Sequence, residues 1–391
     1  MDKGSFAKRF PGKLVRTVHG CCAFVPTPLP PPEFQVSHDL MLVNEKALLA
    51  LGELRAIIPS LPNPELISKP FLRREAVLSS KIEGTKTEIE GLYLFESTRQ
   101  LRKPDRYQTE ESQDAREVAN YVTALEHGLS EIKTIPICNR LFREMHEILL
   151  KDVHRERGLD TLPGRFRSGQ AHIGPTNDIR DARYVAPPHE HVEDLMAALE
   201  IYINRPNSDR PTLTDVAMIH YQFEAIHPFS DGNGRLGRLL ISLLLSARGI
   251  LPQPLLYLSA FFERNRERYN TLLWEVSRSG AWKDWVLFVL QGVESESIDA
   301  TRRARSLLAL REQYRSQLQS GGSAGRLLAL VDELFLWPTI TIPRARDVLG
   351  LTYEGAKKNV KKLETKGVIT KLEGPARNQL WIARPIIALM S

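Results

Sequence analysis

The sequence predicts a mainly α-helical protein, and three observations lead to this prediction. An apolar run at 239–247 directly follows a glycine-rich loop, as expected of a buried helix. The segments 71–84 and 352–366 carry helix-like sequence and stop at or just before a glycine, which is a common helix end. Extended runs are short, and the clearest pair flanks a polar turn between 164 and 188, which predicts one β-hairpin.

Composition indicates a multidomain protein of the cytoplasm. A chain of 391 residues with 42% hydrophobic content can fill two or three cores. Three cysteines, of which Cys21 and Cys22 are adjacent, form no disulfide framework. The longest apolar run is broken at Arg248 and is too short to cross a membrane, and residues 1–12 lack the apolar core of a signal peptide. We therefore expect a cytoplasmic location and no membrane partner.

Four regions follow from changes of composition along the chain. Residues 1–120 form an N-terminal helical region with a proline-rich arm at 26–32. Residues 121–295 form the central unit. A helical connector and a polar linker occupy 296–321, and 322–391 form a C-terminal unit.

The segment 227–238 concentrates groups that bind anions. Gly232, Asn233 and Gly234 precede the apolar helix, so that free backbone N–H groups and the positive end of the helix dipole meet there. Arg235 and Arg238 lie three positions apart, on one helix face, and guanidinium groups grip phosphate oxygens. The pattern predicts a polyphosphate site.

Two further groups in this segment add chemistry to the anion site. Asp231 is placed to hold a hard cation such as Mg²⁺, and His227 can accept a proton near neutral pH. A plain turn is the competing interpretation, since Pro, Asp, Gly and Asn are common in turns. Two arginines at a helix N-terminus oppose the dipole unless an anion compensates them, which favours the binding site.

The segment resembles the Fic-domain pattern His-x-Phe-x-Asp/Glu-Gly-Asn-Gly-Arg-x-x-Arg and matches it at every defined position. The resemblance extends over about 70–295 and implies a helical Fic core that transfers AMP from ATP to a Ser, Thr or Tyr hydroxyl of a target protein or of itself. It implies that His227 is the general base, that Phe229 anchors the loop and that Asp231 binds Mg²⁺. The same resemblance gives the phosphate-holding role to the backbone of Gly232 and Gly234 and to three side chains, those of Asn233, Arg235 and Arg238.

A second segment, at 79–84, carries Ser79 and Glu83 before Gly84. Taken alone, Glu83 is more simply a solvated residue near a helix end. The segment also resembles the Fic inhibitory motif, Ser/Thr-x-x-x-Glu-Gly/Asn. That resemblance implies that Glu83 pairs with Arg238 and blocks productive ATP binding.

The hairpin and a downstream segment are the remaining parts of the expected nucleotide site. The Fic resemblance implies that the hairpin is a flap, with Tyr184 and Val185 facing the nucleotide. It also implies an adenine pocket near 257–270, for which Tyr269 is the first candidate and Asn265 and Asn270 are weaker ones. Without the resemblance, a surface hairpin and core packing explain the same residues.

The C-terminal unit is basic, with eleven Lys and Arg against six Asp and Glu in 322–391. Helices are expected at 327–336, 342–349 and 352–366, followed by strands at 368–372 and 379–383 around a turn at 374–377. This order resembles a winged helix-turn-helix, with four lysines of the third helix facing DNA and Arg377 on the wing. Protein contact is the alternative role.

Two clusters of potential metal ligands do not predict metal sites. His146 and Glu147 begin like a zinc-protease motif, but Leu150 stands where the second histidine would be. Residues 189–194 are histidine-rich and acidic, and are better explained as the start of a solvated helix.

The resulting hypothesis is a Mg²⁺-dependent protein adenylyltransferase restrained by Glu83. Alternatives are a Fic enzyme that uses another donor or removes AMP, and a DNA-binding regulator that only senses nucleotide. His227 argues against a sensor, which needs no base. Fic proteins often dimerise; the sequence identifies neither an interface, nor the target protein, nor the modified residue.

Overall fold

The computed structural model describes residues 3–18, 20–32, 34–60, 63–101, 110–153, 162–176, 178–206, 210–319, 324–372 and 379–391. The mainly α-helical prediction is confirmed. The helices are α1 His38–Ile57, α2 Glu65–Ile82, α3 Ile89–Leu101, α4 Glu110–Glu131, α5 Asn139–Leu149, α6 Val192–Ile203, α7 Thr212–Ile226, α8 Asn233–Ala247, α9 Ser259–Arg264, α10 Arg266–Ser279, α11 Trp282–Leu318, α12 Ala324–Leu336, α13 Ile342–Leu349, α14 Tyr353–Thr365 and α15 Arg384–Ala388. The strands are β1 Gly12–Arg16, β2 Cys22–Pro26, β3 His172–Ile173, β4 Tyr184–Val185, β5 Thr339–Thr341, β6 Thr370–Lys371 and β7 Leu380–Ile382.

Helix α2 lies at the centre of the molecule. It packs against α4, α8 and α9 on one side and against α12 on another. Most of its side chains are buried, including polar ones such as Glu75, Ser79 and Ser80. Buried polar side chains require partners, so the register of this helix is fixed by more than apolar packing. Its C-terminal end therefore reaches the loop before α8 at a defined position.

Two small antiparallel pairs lie beside α7. The predicted hairpin consists of β3 and β4, with His172 opposite Val185. Strands β1 and β2 form a second pair that sequence analysis did not predict, and β2 packs against β4. The proline-rich arm follows β2, and the carbonyl of Thr27 accepts a hydrogen bond from the side chain of Gln222 in α7, at 3.1 Å. The N-terminal segment thus braces the hairpin.

The C-terminal unit contains three helices and a three-stranded antiparallel sheet in the order β5-β7-β6. Helices α12, α13 and α14 match the predicted segments. The strands β6 and β7 are shorter than expected, and β5 was not predicted. Strand β5 has only three residues, and it pairs with β7, about forty positions away, so local sequence gives little signal for it. The predicted wing turn at 374–377 and the linker residues 320–323 lie outside the described residues.

Two of the expected region boundaries fall inside single helices. The boundary after 120 lies within α4, and the boundary after 295 lies within α11, which runs without interruption for 37 residues. Helix α1 packs along α11 through a buried face that includes Ala47, Leu51 and Leu54. A helix held by packing along its length does not have to end where sequence composition changes. Across the described helices, none combines the length and the apolar content that a membrane crossing requires.

Candidate functional site

The loop between α7 and α8 brings the predicted anion-binding groups together. Helix α7 ends at Ile226, and His227 adopts left-handed backbone angles, with φ 51° and ψ 60°. Gly232 is also left-handed, with φ 75°, and caps the start of α8. No side chain caps this helix start, so its first N–H groups are free to bind an anion.

The side chain of Asn233 shapes this loop from within. It is 2% exposed; its Oδ1 accepts from the N–H of Phe229 at 2.9 Å, and its Nδ2 donates to the carbonyl of Phe229 at 2.8 Å. Phe229 is fully buried, as predicted for the anchor. The sequence-based hypothesis placed Asn233 in the anion site. One N–H of its amide and its Oδ1 are engaged by Phe229, and a contact of the Asn233 side chain with an anion stays a prediction.

His146 of α5 supports the same loop from the side. Its ring stacks on Phe229 with centroids 3.9 Å apart. The N–H of Gly164 donates to Nδ1 at 2.9 Å, so Nε2 carries the proton and donates to the carbonyl of Asp231 at 3.0 Å. Burial lowers the pKa of His146 to about 4, which keeps this ring neutral.

The imidazole of His227 is neutral at pH 7. Burial and then the positive charge of Arg167 lower its pKa to about 4, while the carboxylates of Glu83 and Asp231 act in the opposite direction. Its Nδ1 is buried and has no hydrogen-bond partner among the described residues. An imidazole that is unprotonated at pH 7 can accept a proton.

Asp231 is a partly exposed carboxylate at the edge of the site, and Arg235 lies buried beside it. The side chain of Asp231 is 36% exposed; its Oδ1 accepts from the N–H of Gly232 at 2.6 Å, and its Oδ2 lies 3.7 Å from Nη2 of Arg235. Arg235 is 2% exposed and pairs with Glu117 of α4 at 2.7 Å. Glu117 was missed by sequence analysis, because it lies more than a hundred positions away.

Arg238 is held by the end of α2. Its Nε donates to Oγ of Ser79 at 2.8 Å, and its Nη2 donates to Oε1 of Glu83 at 2.7 Å. Glu83 caps the end of α2, and its carboxylate lies directly over Gly234, where any Cβ would collide with it. These contacts place Ser79 and Glu83 against Arg238, as the inhibitory-motif resemblance implied. The charge of Arg238 lowers the pKa of Glu83, although burial opposes this, so the pair is ionised at neutral pH.

The predicted adenine-pocket residues lie behind Arg238. Tyr269 is 3% exposed, its hydroxyl lies 2.9 Å from Nε2 of His220, and its ring stacks on Phe262. In this arrangement Tyr269 is part of the aromatic core. Asn265 lies between α9 and α10 and donates to the carbonyl of Phe261 at 2.9 Å. An adenine contact by either residue stays a prediction.

The β3–β4 hairpin contacts the end of α7, just before the loop that carries His227. The Tyr184 hydroxyl donates to the carbonyl of Ala225 in α7, and Val185 is fully buried. Ile173 on the opposite strand is 49% exposed. The contact of Tyr184 with α7 fixes β4 near His227, whereas β3 is the outer strand of the pair.

Sequence analysis missed the buried polar residues around the motif. Arg167 is 5% exposed, and Glu224 is a buried carboxyl whose pKa is raised to about 7, chiefly by burial. His146 was set aside as an incomplete zinc motif. The segment that carries Arg167 has no helical or alternating period, so its burial could not be inferred from pattern.

Comparison with known families matches two adjacent parts of the chain. Residues 41–130 match the family described as Fic/DOC family N-terminal, and residues 136–245 match the Fic/DOC family itself. Together the two matches span just over half of the chain. The second match includes the whole loop described above, and the first includes helix α2 with Ser79 and Glu83.

Similar proteins give a consistent picture. Protein adenylyltransferase Fic of Culex quinquefasciatus is 29% identical over 183 residues, which is 46% of this chain and 32% of that protein. Protein adenylyltransferase fic-1 of Caenorhabditis briggsae is 31% identical over 122 residues, 29% of this chain and 22% of that protein. The chain thus spans about a third or less of these relatives.

Among solved structures, the crystal structure of a Fic family protein from Desulfovibrio desulfuricans G20 superposes with a TM-score of 0.54 at 18% identity, covering 90% of this chain and 98% of that one. At this identity the likeness concerns the fold. The second family match contains the loop and the start of the glycine-capped helix described above, and the solved structure agrees with the overall fold. The chain therefore belongs to the Fic/DOC family.

Proposed function

We propose that this chain is a protein adenylyltransferase that is restrained by its own Glu83. One observation carries the proposal: a neutral, half-buried imidazole, a helix N-terminus without a side-chain cap and a guanidinium held by a displaceable carboxylate meet at one loop. The names of the similar proteins support the same activity. The substrates would be ATP and a hydroxyl side chain of a target protein.

The reaction follows from the positions of these groups. His227 takes the proton of the hydroxyl, whose oxygen attacks the α-phosphorus of ATP. The new O–P bond forms as the bond from the α-phosphorus to the bridging oxygen breaks, and pyrophosphate leaves. The N–H groups at the start of α8 hold phosphate oxygens, and a base within hydrogen-bond reach supplies ~10²–10⁴-fold in rate. Positioning and charge neutralisation provide the rest.

Asp231 fits the role of a Mg²⁺ ligand. Its carboxylate is partly exposed beside the anion site, and Mg²⁺ commonly binds one or two carboxylates together with substrate phosphates. The ion would neutralise phosphate charge. Asp231 is oriented for this by the N–H of Gly232 and by the contact of His146 with its carbonyl.

Restraint follows from competition for Arg238. While Glu83 holds this guanidinium, a γ-phosphate cannot use it, so ATP lacks the contact that orders its triphosphate. Glu83 also covers Gly234, part of the anion site. Removal of the carboxylate should therefore raise transfer activity.

The test is incorporation of label from α-labelled ATP into the protein itself, with and without Mg²⁺. Glu83→Gly should label strongly, wild type weakly, and Glu83→Gly with His227→Ala not at all. Equal labelling of Glu83→Gly and of the double variant would exclude His227 as the base. If Glu83→Gly bound ATP but transferred nothing to itself or to lysate proteins, nucleotide sensing would become the better hypothesis.

A second function is proposed for residues 322–391, as a winged helix that binds DNA. The three-stranded sheet beside α12–α14 has the required order, and Lys358 and Lys361 are exposed on α14. Fluorescence anisotropy with duplex DNA should detect binding that weakens steeply with salt. Changing both lysines to Glu should abolish it, whereas Lys133→Glu, on an exposed loop, should not. No binding at low salt would favour a protein partner instead.

A further inference from the structure

Arg167 occupies an unusual position behind the base. It belongs to the flap-base segment, residues 162–171, which leads into β3. Its side chain is 5% exposed and donates to backbone carbonyls only: Nε to His227 at 2.8 Å, Nη1 to Gly169 at 2.8 Å, and Nη2 to Pro187 at 2.6 Å and Ile226 at 3.4 Å. Its backbone N–H donates to the carbonyl of Pro228 at 2.9 Å. Three consecutive carbonyls, those of 226, 227 and 228, are therefore bonded to one residue.

Arg167 has no ion-pair partner among the described residues, although the carboxylate of Glu190 acts on its charge from beyond ion-pair distance. Other buried arginines here do have one: Arg73 pairs with Glu96, and Arg238 with Glu83. Within the part of the chain that the structure describes, no carboxylate forms an ion pair with Arg167. Burial lowers its pKa to about 10, so it is still charged at neutral pH. Carbonyl dipoles satisfy its donors but leave the net charge in place.

We propose that Arg167 is the positioning residue of the general base: it holds the backbone of His227 in the left-handed conformation and places behind the imidazole a positive charge that no ion pair among the described residues neutralises. This inference rests on the proposed function, in which His227 is the base. Arg167 does not touch the reacting atoms and acts through His227.

The backbone effect follows from the cost of the turn. A left-handed conformation costs a non-glycine residue about 1–2 kcal/mol, and it persists only when neighbouring contacts hold it. At His227, the bonds from Arg167 to the carbonyls on both sides supply that restraint. Without them, the imidazole can swing with the relaxed turn, and a displacement of 1 Å can cost ~10²-fold in rate.

The charge effect follows from the groups that face the imidazole. Glu83 from α2 and Asp231 from the motif loop favour its protonated form, as does the Glu224 carbonyl on its own helix. Arg167, from the flap base, is the cation that opposes them. Loss of that cation makes protonation easier, so the acid limb of the pH–rate profile should move to higher pH.

The experiment compares three variants in the Glu83→Gly background. Arg167→Gln removes the charge and most of the bonds, Arg167→Lys keeps the charge, and Arg165→Gln makes the same charge change at an exposed neighbour. The maximal rate of auto-modification and the ATP concentration for half-maximal rate are measured from pH 4 to 8. The His227 titration is followed by NMR of ¹³C-histidine protein without nucleotide, its signal being assigned by loss in His227→Ala.

Arg167→Gln should lower the maximal rate about 10–100-fold with little change in the half-saturating ATP concentration. It should also move the acid limb of the pH–rate profile and the midpoint of the His227 NMR titration to higher pH by about one unit. Arg167→Lys should lose rate but keep the titration of the parent protein, and Arg165→Gln should change neither. A folded Arg167→Gln protein with parental rate and titration would overturn the proposal. If it does not fold, a parental rate in Arg167→Lys would overturn the positioning role.

The NMR measurement separates this inference from the proposed function. If no variant transfers AMP but the His227 titration still moves upward in Arg167→Gln, the adenylyltransferase proposal fails and the electrostatic effect of Arg167 stands. If transfer occurs and the titration does not move, the charge effect is overturned while the activity stands.

Discussion

The ion pair between Glu83 and Arg238 is the contact that a triphosphate has to displace, so its free energy should appear in the affinity for ATP. Glu83→Gln keeps the length of the side chain and removes its charge. Glu83→Gly removes all side-chain atoms and also uncovers Gly234. We expect both variants to bind Mg-ATP more tightly than the wild type, with Glu83→Gly the tighter of the two.

The magnitude follows from distance and exposure. The two atoms lie 2.7 Å apart, and Arg238 is 2% exposed, which is typical of a charged hydrogen bond worth ~1.5–3 kcal/mol. The Glu83 side chain is 36% exposed, so solvent screening lowers this value to about 1–2 kcal/mol. That range corresponds to a gain of about five- to thirtyfold in affinity for Glu83→Gln.

Isothermal titration calorimetry with Mg-ATP tests this value directly. All proteins carry His227→Ala, so that bound ATP is not consumed. Glu88→Gln is the matched control, since Glu88 is an exposed glutamate shortly after the end of α2. If Glu83→Gln and Glu88→Gln bound Mg-ATP with the same affinity, the carboxylate would not compete with the nucleotide, and the reasoning from the ion pair would be wrong.

Three further predictions concern the stability of α2 and its neighbours. Ser79→Ala should lower the free energy of unfolding in urea by about 1–2 kcal/mol, because it removes the oxygen that accepts a hydrogen bond from Arg238. Ser80 is equally buried, but its hydroxyl has no hydrogen-bond partner among the described residues, so Ser80→Ala should lower it by less than about 0.5 kcal/mol. Equal losses in the two variants would contradict this. Burial raises the pKa of Glu75 to about 7 from an unfolded value of 4.5, so the folded state binds the extra proton between these values and loses stability as pH rises through them. The stability of Glu75→Gln relative to wild type should therefore rise from pH 5 to 7 by up to about 3 kcal/mol, and a pH-independent difference would exclude this account. Trp337→Leu removes a ring whose centroid lies 4.2 Å from the Arg73 guanidinium and should destabilise the protein by about 1 kcal/mol or more; an unchanged unfolding midpoint would refute a stabilising stack.

Local sequence predicted the helices and the position of the glycine loop well. Helix α8 begins at Asn233, directly after the glycine cap, and ends with the apolar run at Ala247, and α13 has the expected bounds, because spacing of apolar residues and terminal glycines act over one or two turns. The predicted hairpin appears at 172–185. Strand β5 was missed because its pairing partner is distant in sequence, and the region boundary at 295 was placed inside α11 because composition does not report helix continuity.

Within the site, contiguous residues were predictable and distant ones were not. One short segment predicted the positions of His227, Gly232 and Gly234. It did not predict that the side chain of Asn233 bonds to the backbone of Phe229 inside the loop. Arg167 and His146 gave no functional signal, since Arg167 lies on no periodic pattern, His146 belongs to the buried face of α5, and their partners are backbone groups 60 and 85 positions away. A backbone carbonyl can accept a hydrogen bond at any residue type, so the sequence does not show which residues will be such partners.

The sequence by itself determined where the chain turns and where α8 starts, since glycine, a short polar loop and an apolar run act through local sterics and helix-end geometry. Only the tertiary structure decided the protonation states and ion pairs of the site. Packing half-buries His227 next to Arg167 and places Glu83 against Arg238. Burial and distance, which no local pattern encodes, decide which groups are charged and which are held in ion pairs.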